Sequence, residues 1–285
     1  MIFLNQQEQD KRELYYSYLK SVCALSHLFS DSEVPYLYYR ASENIFCKTF
    51  NAENLSRDDF AYDAKKDKIG IGIKTFISKG SNNEKIAEFN SFSYELRNLK
   101  GEQLAYRLAE LRNERIEFAN RNYGVEKGIY HCIAREKNRL KIFETDYNLI
   151  NIDQIQNITT SQASIQFSDK LNEYSFNYSK STLFKKFYIP STSIILDIDI
   201  IEDPFELILN MFKNGIPYEK KYEMPGINYV ILPLYSLRDS KDNEKVVSER
   251  SGLNQWNARG RKRDYGEIYI PIPIQIHKNF PNYFP

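Results

Sequence analysis

Residues 69–77 read Ile-Gly-Ile-Gly-Ile-Lys-Thr-Phe-Ile. Apolar side chains alternate there with glycine or a polar group, the period of a strand with one buried face. Glycine weakens a strand and is found where another backbone or a ligand comes close. Gly70 and Gly72 therefore mark an unusual strand. A shorter strand is expected before it, at about 60–65, with Asp67 and Lys68 forming the turn between the two. After it, residues 79–83 (Lys-Gly-Ser-Asn-Asn) read as a loop, and Asn83 as the cap of a helix over 84–98.

Elsewhere helical and extended patterns follow one another. Leu14, Tyr15, Tyr18, Leu19, Val22, Leu25 and Leu28 recur at steps of three and four, which predicts a helix over 8–29. Pro35 precedes a second helical stretch, 36–50. The clearest helix covers 102–122, with Leu104, Leu108, Leu111, Ile116 and Phe118 along one side and Gly124 as terminator. Strand patterns follow at 128–135, 139–144, 163–168 and 172–178, the last two joined by a turn at Ser168-Asp169-Lys170. A short helix is expected at 180–188 and an apolar strand at 193–201. Asp203 then caps a further helix, with Pro204 in its first turn. From about 214 the prolines at 217, 225 and 233 punctuate short extended pieces. The fold class is thus α/β (α+β): a mixed β-sheet flanked by helices over 1–215, then a smaller β-rich portion over 216–285.

Composition removes several classes of function. The chain of 285 residues carries 39 basic and 38 acidic side chains, so no global field draws it to nucleic acid or to a membrane. Any such attraction has to be local. Cys23, Cys47 and Cys132 are far apart and form no CxxC pair, which argues against zinc and a disulfide framework and fits a reducing cytoplasm. No apolar run reaches the length of a membrane span. The first residues, Met-Ile-Phe-Leu-Asn-Gln-Gln-Glu, lack the basic stretch of a signal peptide. The 22 tyrosines and 18 phenylalanines are spread along the whole chain, which favours core packing over a stacking platform.

Three charged residues around the glycine-rich strand form the first candidate site. Asp63 falls near the end of the short strand, Lys74 late in the next, and Glu88 on the helix expected after it. Two carboxylates can hold magnesium through oxygen. A lysine can orient a water and steady the negative charge that builds on phosphorus. The same residues also fit ordinary charges on a half-buried hairpin and an exposed helix face.

The pattern resembles the PD-(D/E)XK nucleases, which include most type II restriction endonucleases. Ala61-Tyr62-Asp63 matches the first motif with Tyr62 in place of proline, and Gly72-Ile73-Lys74 the second with Gly72 in place of the acid. One branch of these enzymes lacks that acid and recruits a glutamate from the next helix, and Glu88 stands where that residue would fall. The resemblance implies Asp63 and Glu88 as ligands of Mg2+, Lys74 as the catalytic lysine, and Glu43 on the earlier helix as a further active-site carboxylate.

A second constellation lies near the C-terminus. Five basic residues and no acid fall between Arg250 and Arg263. Asn254, Gln255, Asn257, Arg259, Arg261 and Arg263 are of the kinds that read base edges, Lys262 suits phosphates, and Trp256 is the only tryptophan. The bland alternative is a solvated basic loop. Residues 248–285 are similar to the C-terminal region of the NgoFVII-type restriction endonucleases, where a B3-like β-barrel recognises DNA, and such a domain is expected to continue beyond Pro285. The phospholipase D-type catalytic pattern of that family, His-x-Lys followed by Asp, is absent: none of His27, His131 and His277 has lysine two residues later.

Other fragments carry less. Gly128-Ile129-Tyr130 is half of a GIY-YIG motif with no second half, and Lys74-Thr75 lacks the glycine spacing of a phosphate loop. The adjacent His131 and Cys132 read as packing residues. The expectation is a cytoplasmic type II restriction endonuclease that hydrolyses double-stranded DNA with Mg2+. It would act as a homodimer or by transient pairing of two copies, because two strands must be cut. The competing expectations are a DNA-binding module without catalysis and an interaction protein whose charges are solvent decoration.

Overall fold

The computed structural model describes residues 3–56, 61–78, 82–213 and 274–279. The chain separates into two units, Met1–Ile216 and Pro217–Pro285. In the first unit the order is α1 (Gln9–Ala24), α2 (Tyr39–Phe50), β1 (Glu53–Asn54), β2 (Ala64–Lys66), β3 (Ile69–Ile77), β4 (Asn82–Glu88), α3 (Ser93–Arg97), α4 (Gly101–Tyr123), β5 (Lys127–Glu136) and β6 (Arg139–Asp146). There follow β7 (Gln156–Thr160), β8 (Ser164–Ser168), β9 (Glu173–Asn177), β10 (Thr182–Phe187), β11 (Ile194–Asp197) and α5 (Pro204–Lys213). In the second unit the described segment is a helix, α6 (Ile274–Asn279), where extended structure was expected.

The strands form two sheets. The first is mixed and six-stranded, in the order β1-β2-β3-β5-β6-β11, and the second five-stranded, in the order β4-β10-β9-β8-β7. In the first sheet β3 and β5 run parallel, while the other neighbours are antiparallel. The alternation read from residues 69–77 is realised along β3. Ile71 and Ile73 join Ile129, Ile133, Leu140 and Ile142 under α1 and α2. Phe76, on the other side, joins Tyr130, Cys132, Phe143 and Tyr147 in a second cluster. The helix α4 ties the sheets together: Leu104, Leu108 and Leu111 pack with Ile165, Phe176 and Leu183 of the second sheet, and Ile116 and Ala119 with the first. Its end is fixed by Gly124, whose φ of 61° suits a residue without a Cβ.

Two expected helices are strands, and each has a physical reason. Residues 82–88 are rich in helix formers, yet they pair with β10 and bury Ala87 against the second sheet's core. Tertiary pairing overrides propensity there. A bulge opposite Leu183 and Phe184 shifts the register, so the period of two is also broken in the sequence. In β10 the inward side chains are Leu183, Lys185 and Phe187, and the central lysine hides the alternation. Among the other expectations, the turn at Asp67 adopts φ +52°, and Asp203 Oδ1 caps α5 by accepting the N–H groups of Phe205 and Glu206 at 3.0 and 3.1 Å. The expected helix 8–29 ends earlier, at Ala24, followed by a short 3-10 turn.

Gly72 is glycine for a packing reason. A Cβ there would meet Tyr147 Cε2 at 2.7 Å and Tyr130 Cδ1 at 3.0 Å. Tyr130 and Tyr147 stack with centroids 4.0 Å apart, so neither ring can retreat without disturbing the other. We expect Gly72→Ala to lose about 1–3 kcal/mol in urea unfolding. Gly72→Glu, which restores the motif acid, should lose more, because it pushes a carboxylate onto these rings. A Gly72→Glu protein as stable as the parent would contradict this packing.

Behind those rings lie two interior cations. Arg112 is 2% exposed, donates from Nη2 to the Tyr130 hydroxyl at 2.9 Å and lies 4.5 Å over the Tyr147 ring. Lys185, 5% exposed, sits 5.1 Å over the Tyr130 ring. Burial lowers the Lys185 ammonium to about 8 from its ordinary 10.5, against the pull of nearby acids. The unfolded chain therefore holds more protons between about pH 8 and 10, and stability rises with pH through that window. Lys185→Met should be the more stable protein at pH 7, on the order of 3 kcal/mol at most, and the gap should close toward pH 10 in paired urea titrations.

Candidate functional site

Asp63 is held rigidly at the mouth of the β2–β3 hairpin. Its N–H donates to the Ile71 carbonyl at 2.9 Å and its carbonyl accepts from Leu55 at 3.0 Å. Its Oδ2 accepts the Ile73 N–H at 2.7 Å, and Lys74 Nζ stands 3.9 Å from the same oxygen. The preceding Tyr62, in the motif's proline position, is buried and donates its hydroxyl to Asn120 Oδ1 at 2.8 Å. That bond fastens the hairpin to the end of α4. The juxtaposition of Asp63 and Lys74 expected from adjacent antiparallel strands is therefore present.

Glu43 comes to the same place from α2. It is 4% exposed and accepts from Arg40 Nη1 at 3.0 Å. The same nitrogen also reaches the Ser56 carbonyl, at 2.6 Å. Burial first, and then the negative charge of Asp63, push the Glu43 carboxyl above its ordinary value, while Ser56 and Arg40 pull it down. Two carboxylates near enough to repel one another in a half-dry cleft form an arrangement that a cation relieves.

Glu88 does not lie on a helix. It is the last residue of β4, and its Oε1 faces Lys85 Nζ at 2.7 Å, with 46% of the side chain exposed. It lines the cleft together with Glu43, Asp63 and Lys74. The acid that sequence reasoning missed is Glu84, on the same strand. Its Cα partner across β10 is Lys185, the inward lysine. Burial raises its carboxyl to about 7, against the opposing pull of Lys74 and Arg135. A strand reading of 82–88 would have offered it, since strand alternation sets Glu84 opposite in face to its exposed neighbours Asn83 and Lys85.

Together these side chains line a cleft of about 570 Å³, which Tyr39, Thr75, Arg115 and Tyr147 complete. Another cleft, of about 480 Å³ on the second sheet, includes Asp169. That carboxylate is already taken up by the N–H groups of Asn151, Leu171 and Asn172 and by the Tyr174 hydroxyl.

Among the described residues no group of three or more His, Cys, Asp or Glu side chains is arranged to hold a metal ion. Magnesium requires less: it keeps several waters and takes one or two carboxylates plus substrate phosphates. Asp63 has two candidate partners for that role: Glu43, more buried and engaged by Arg40, and Glu88, more exposed and engaged by Lys85. Asn254, Gln255, Trp256, Asn257, Arg259, Arg261, Lys262 and Arg263 lie outside the described residues.

No family model, no curated protein and no solved structure matches the chain.

Glu84 offers a direct check on that geometry. Its folded value lies above the unfolded 4.5, so the folded chain binds more protons between about pH 4.5 and 7, and stability falls as pH rises through that window. Glu84→Gln should abolish this slope and be the more stable protein at pH 7.5, on the order of 2 kcal/mol. Parallel urea stability profiles for the two proteins from pH 4.5 to 7.5 would refute the burial of this acid.

Proposed function

We propose that this chain is a magnesium-dependent endonuclease that hydrolyses phosphodiesters of double-stranded DNA, a type II restriction endonuclease of the PD-(D/E)XK kind. The observation that carries the reading is the convergence of Asp63, Lys74 and Glu43 in one cleft, with Lys74 Nζ 3.9 Å from Asp63. Asp63 and Glu43 would hold the magnesium, which lowers the pKa of a bound water and neutralises charge on phosphate. Lys74 would orient the attacking water in line with phosphorus and steady the charge on the non-bridging oxygens. The bond from phosphorus to the 3′ oxygen breaks, leaving a 3′-hydroxyl and a 5′-phosphate. Glu88 sits at the rim of this arrangement.

Sequence selection would fall to the amide- and arginine-rich stretch from Asn254 to Arg263, in the portion that resembles NgoFVII-type recognition domains. Two copies would pair to cut both strands. The three buried free thiols suit a reducing cytoplasm, the compartment where such an enzyme would meet DNA. Among the described residues no helix is long and apolar enough to cross a membrane.

The second reading is a DNA-binding module without catalysis. It is favoured by Gly72, where the space for the motif acid is filled by Tyr147. Plasmid cleavage with Mg2+ separates the two. Asp63→Ala and Lys74→Ala should each lose about a hundredfold or more in rate. Glu43→Gln should lose more than Glu88→Ala. Undiminished cleavage by Lys74→Ala would remove the assignment, and salt-dependent binding by the parent without cleavage would favour the second reading.

A further inference from the structure

The mouth of the cleft is built by an aromatic step that the phosphate chemistry does not use. Tyr38 and Tyr39 open α2 and are 47% and 48% exposed. Their centroids lie 4.4 Å apart at 54°, so Tyr38 braces Tyr39 from the side. The Arg40 guanidinium lies 5.3 Å from the Tyr39 centroid and is itself pinned by Glu43 and the Ser56 carbonyl. The Tyr39 ring is therefore held in place before any ligand arrives, and it lines the same cleft as Asp63 and Lys74.

Tyr39 is four residues before Glu43, about 6 Å along the axis of α2. In a nucleotide, one sugar separates the base from its own phosphate, a span of similar size. A phosphate placed at Asp63, Glu43 and Lys74 would bring its base to the Tyr39 ring. Resting on the nucleic-acid reading above, the geometry points to Tyr39 as a stacking platform for the base next to the scissile phosphate, so that the strand is unpaired at the cut. Stacking on an aromatic ring is tolerant of base identity, because every base has a π-face. The cleft wall carries the cations Arg40, Lys74, Lys85 and Arg115 interspersed with the acids Glu43, Asp63, Glu84 and Glu88.

The test uses the intact chain and a single-stranded oligothymidylate with one central 2-aminopurine, titrated in EDTA so that no cleavage occurs. The parent should bind and quench the fluorescence. Tyr39→Ala should bind about tenfold or more weakly with the quench lost, and Tyr39→Phe should remain within about twofold. Thermal melts establish that both variants keep the fold, as expected for an exposed side chain. Binding and quenching by Tyr39→Ala equal to the parent's would overturn the proposal. So would an equal loss in Tyr39→Phe, which would assign the effect to the hydroxyl, or no binding by the parent. Tyr39-dependent quenching in a chain that cleaves nothing with Mg2+ would sink the nuclease reading and leave the platform standing. Cleavage by the parent with no Tyr39 effect would do the reverse.

Discussion

The parallel pairing of β3 with β5 governs both the core and the cleft. It runs the length of β3, from Ile69 opposite Lys127 to Ile77 opposite Arg135. That register sets Gly72 beside Tyr130 and Lys74 beside Cys132. Because a strand turns its side chains to alternate faces, one choice of register settles everything at once. The isoleucines go under α1 and α2, the glycines receive the tyrosine rings, and Lys74 emerges at the edge of the ring stack. A slip of one residue would bury the lysine among the isoleucines.

The tyrosines connect packing to chemistry. Tyr62, Tyr130 and Tyr147 form a contiguous stack, with 4.8 Å between the centroids of Tyr62 and Tyr147. The Tyr147 hydroxyl donates to the Ala61 carbonyl and Tyr62 to Asn120, so the chain on the approach to Asp63 is pinned at two points. The space that Gly72 leaves open is occupied by this stack. Negative charge is instead brought to the cleft from two other elements: Glu43 from α2 and Glu84 from β4. Each is partly withdrawn from water, and both carboxyls are raised. Carboxyls raised by burial beside a lysine distinguish this cleft from the one around Asp169, where Glu173 is instead lowered by hydrogen bonds from Tyr188 and Lys186.

Much of the first unit was legible locally. Strong 3.6-residue periodicity marked α4, and Gly124 marked its end, because helix termination by a left-handed glycine is decided within a few residues. The β3 pattern was legible because its two faces meet chemically different neighbours. Asp63 and Lys74 were placed together by the shortness of the hairpin. The segments at 82–88 and 182–187 were not legible. β4 has its partner, β10, about a hundred residues away and carries a bulge, while β10 also pairs with the adjacent β9 but has an inward lysine that erases its alternation. Misreading β4 as a helix put Glu88 forward and concealed Glu84.

The sequence alone determined the alternation of Ile69–Ile77, the helix ends at Gly124 and Asp203 (though not the cap expected at Asn83, which lies in β4), the balance of charge and the hairpin that brings Asp63 to Lys74, since each of these depends on nearby residues or on composition. Tertiary structure decided which further carboxylates share the cleft and why position 72 has no side chain. Those outcomes depend on α2, β4 and the Tyr130–Tyr147 stack converging from distant parts of the chain. Burial and electrostatic repulsion act through space, and no local pattern encodes them.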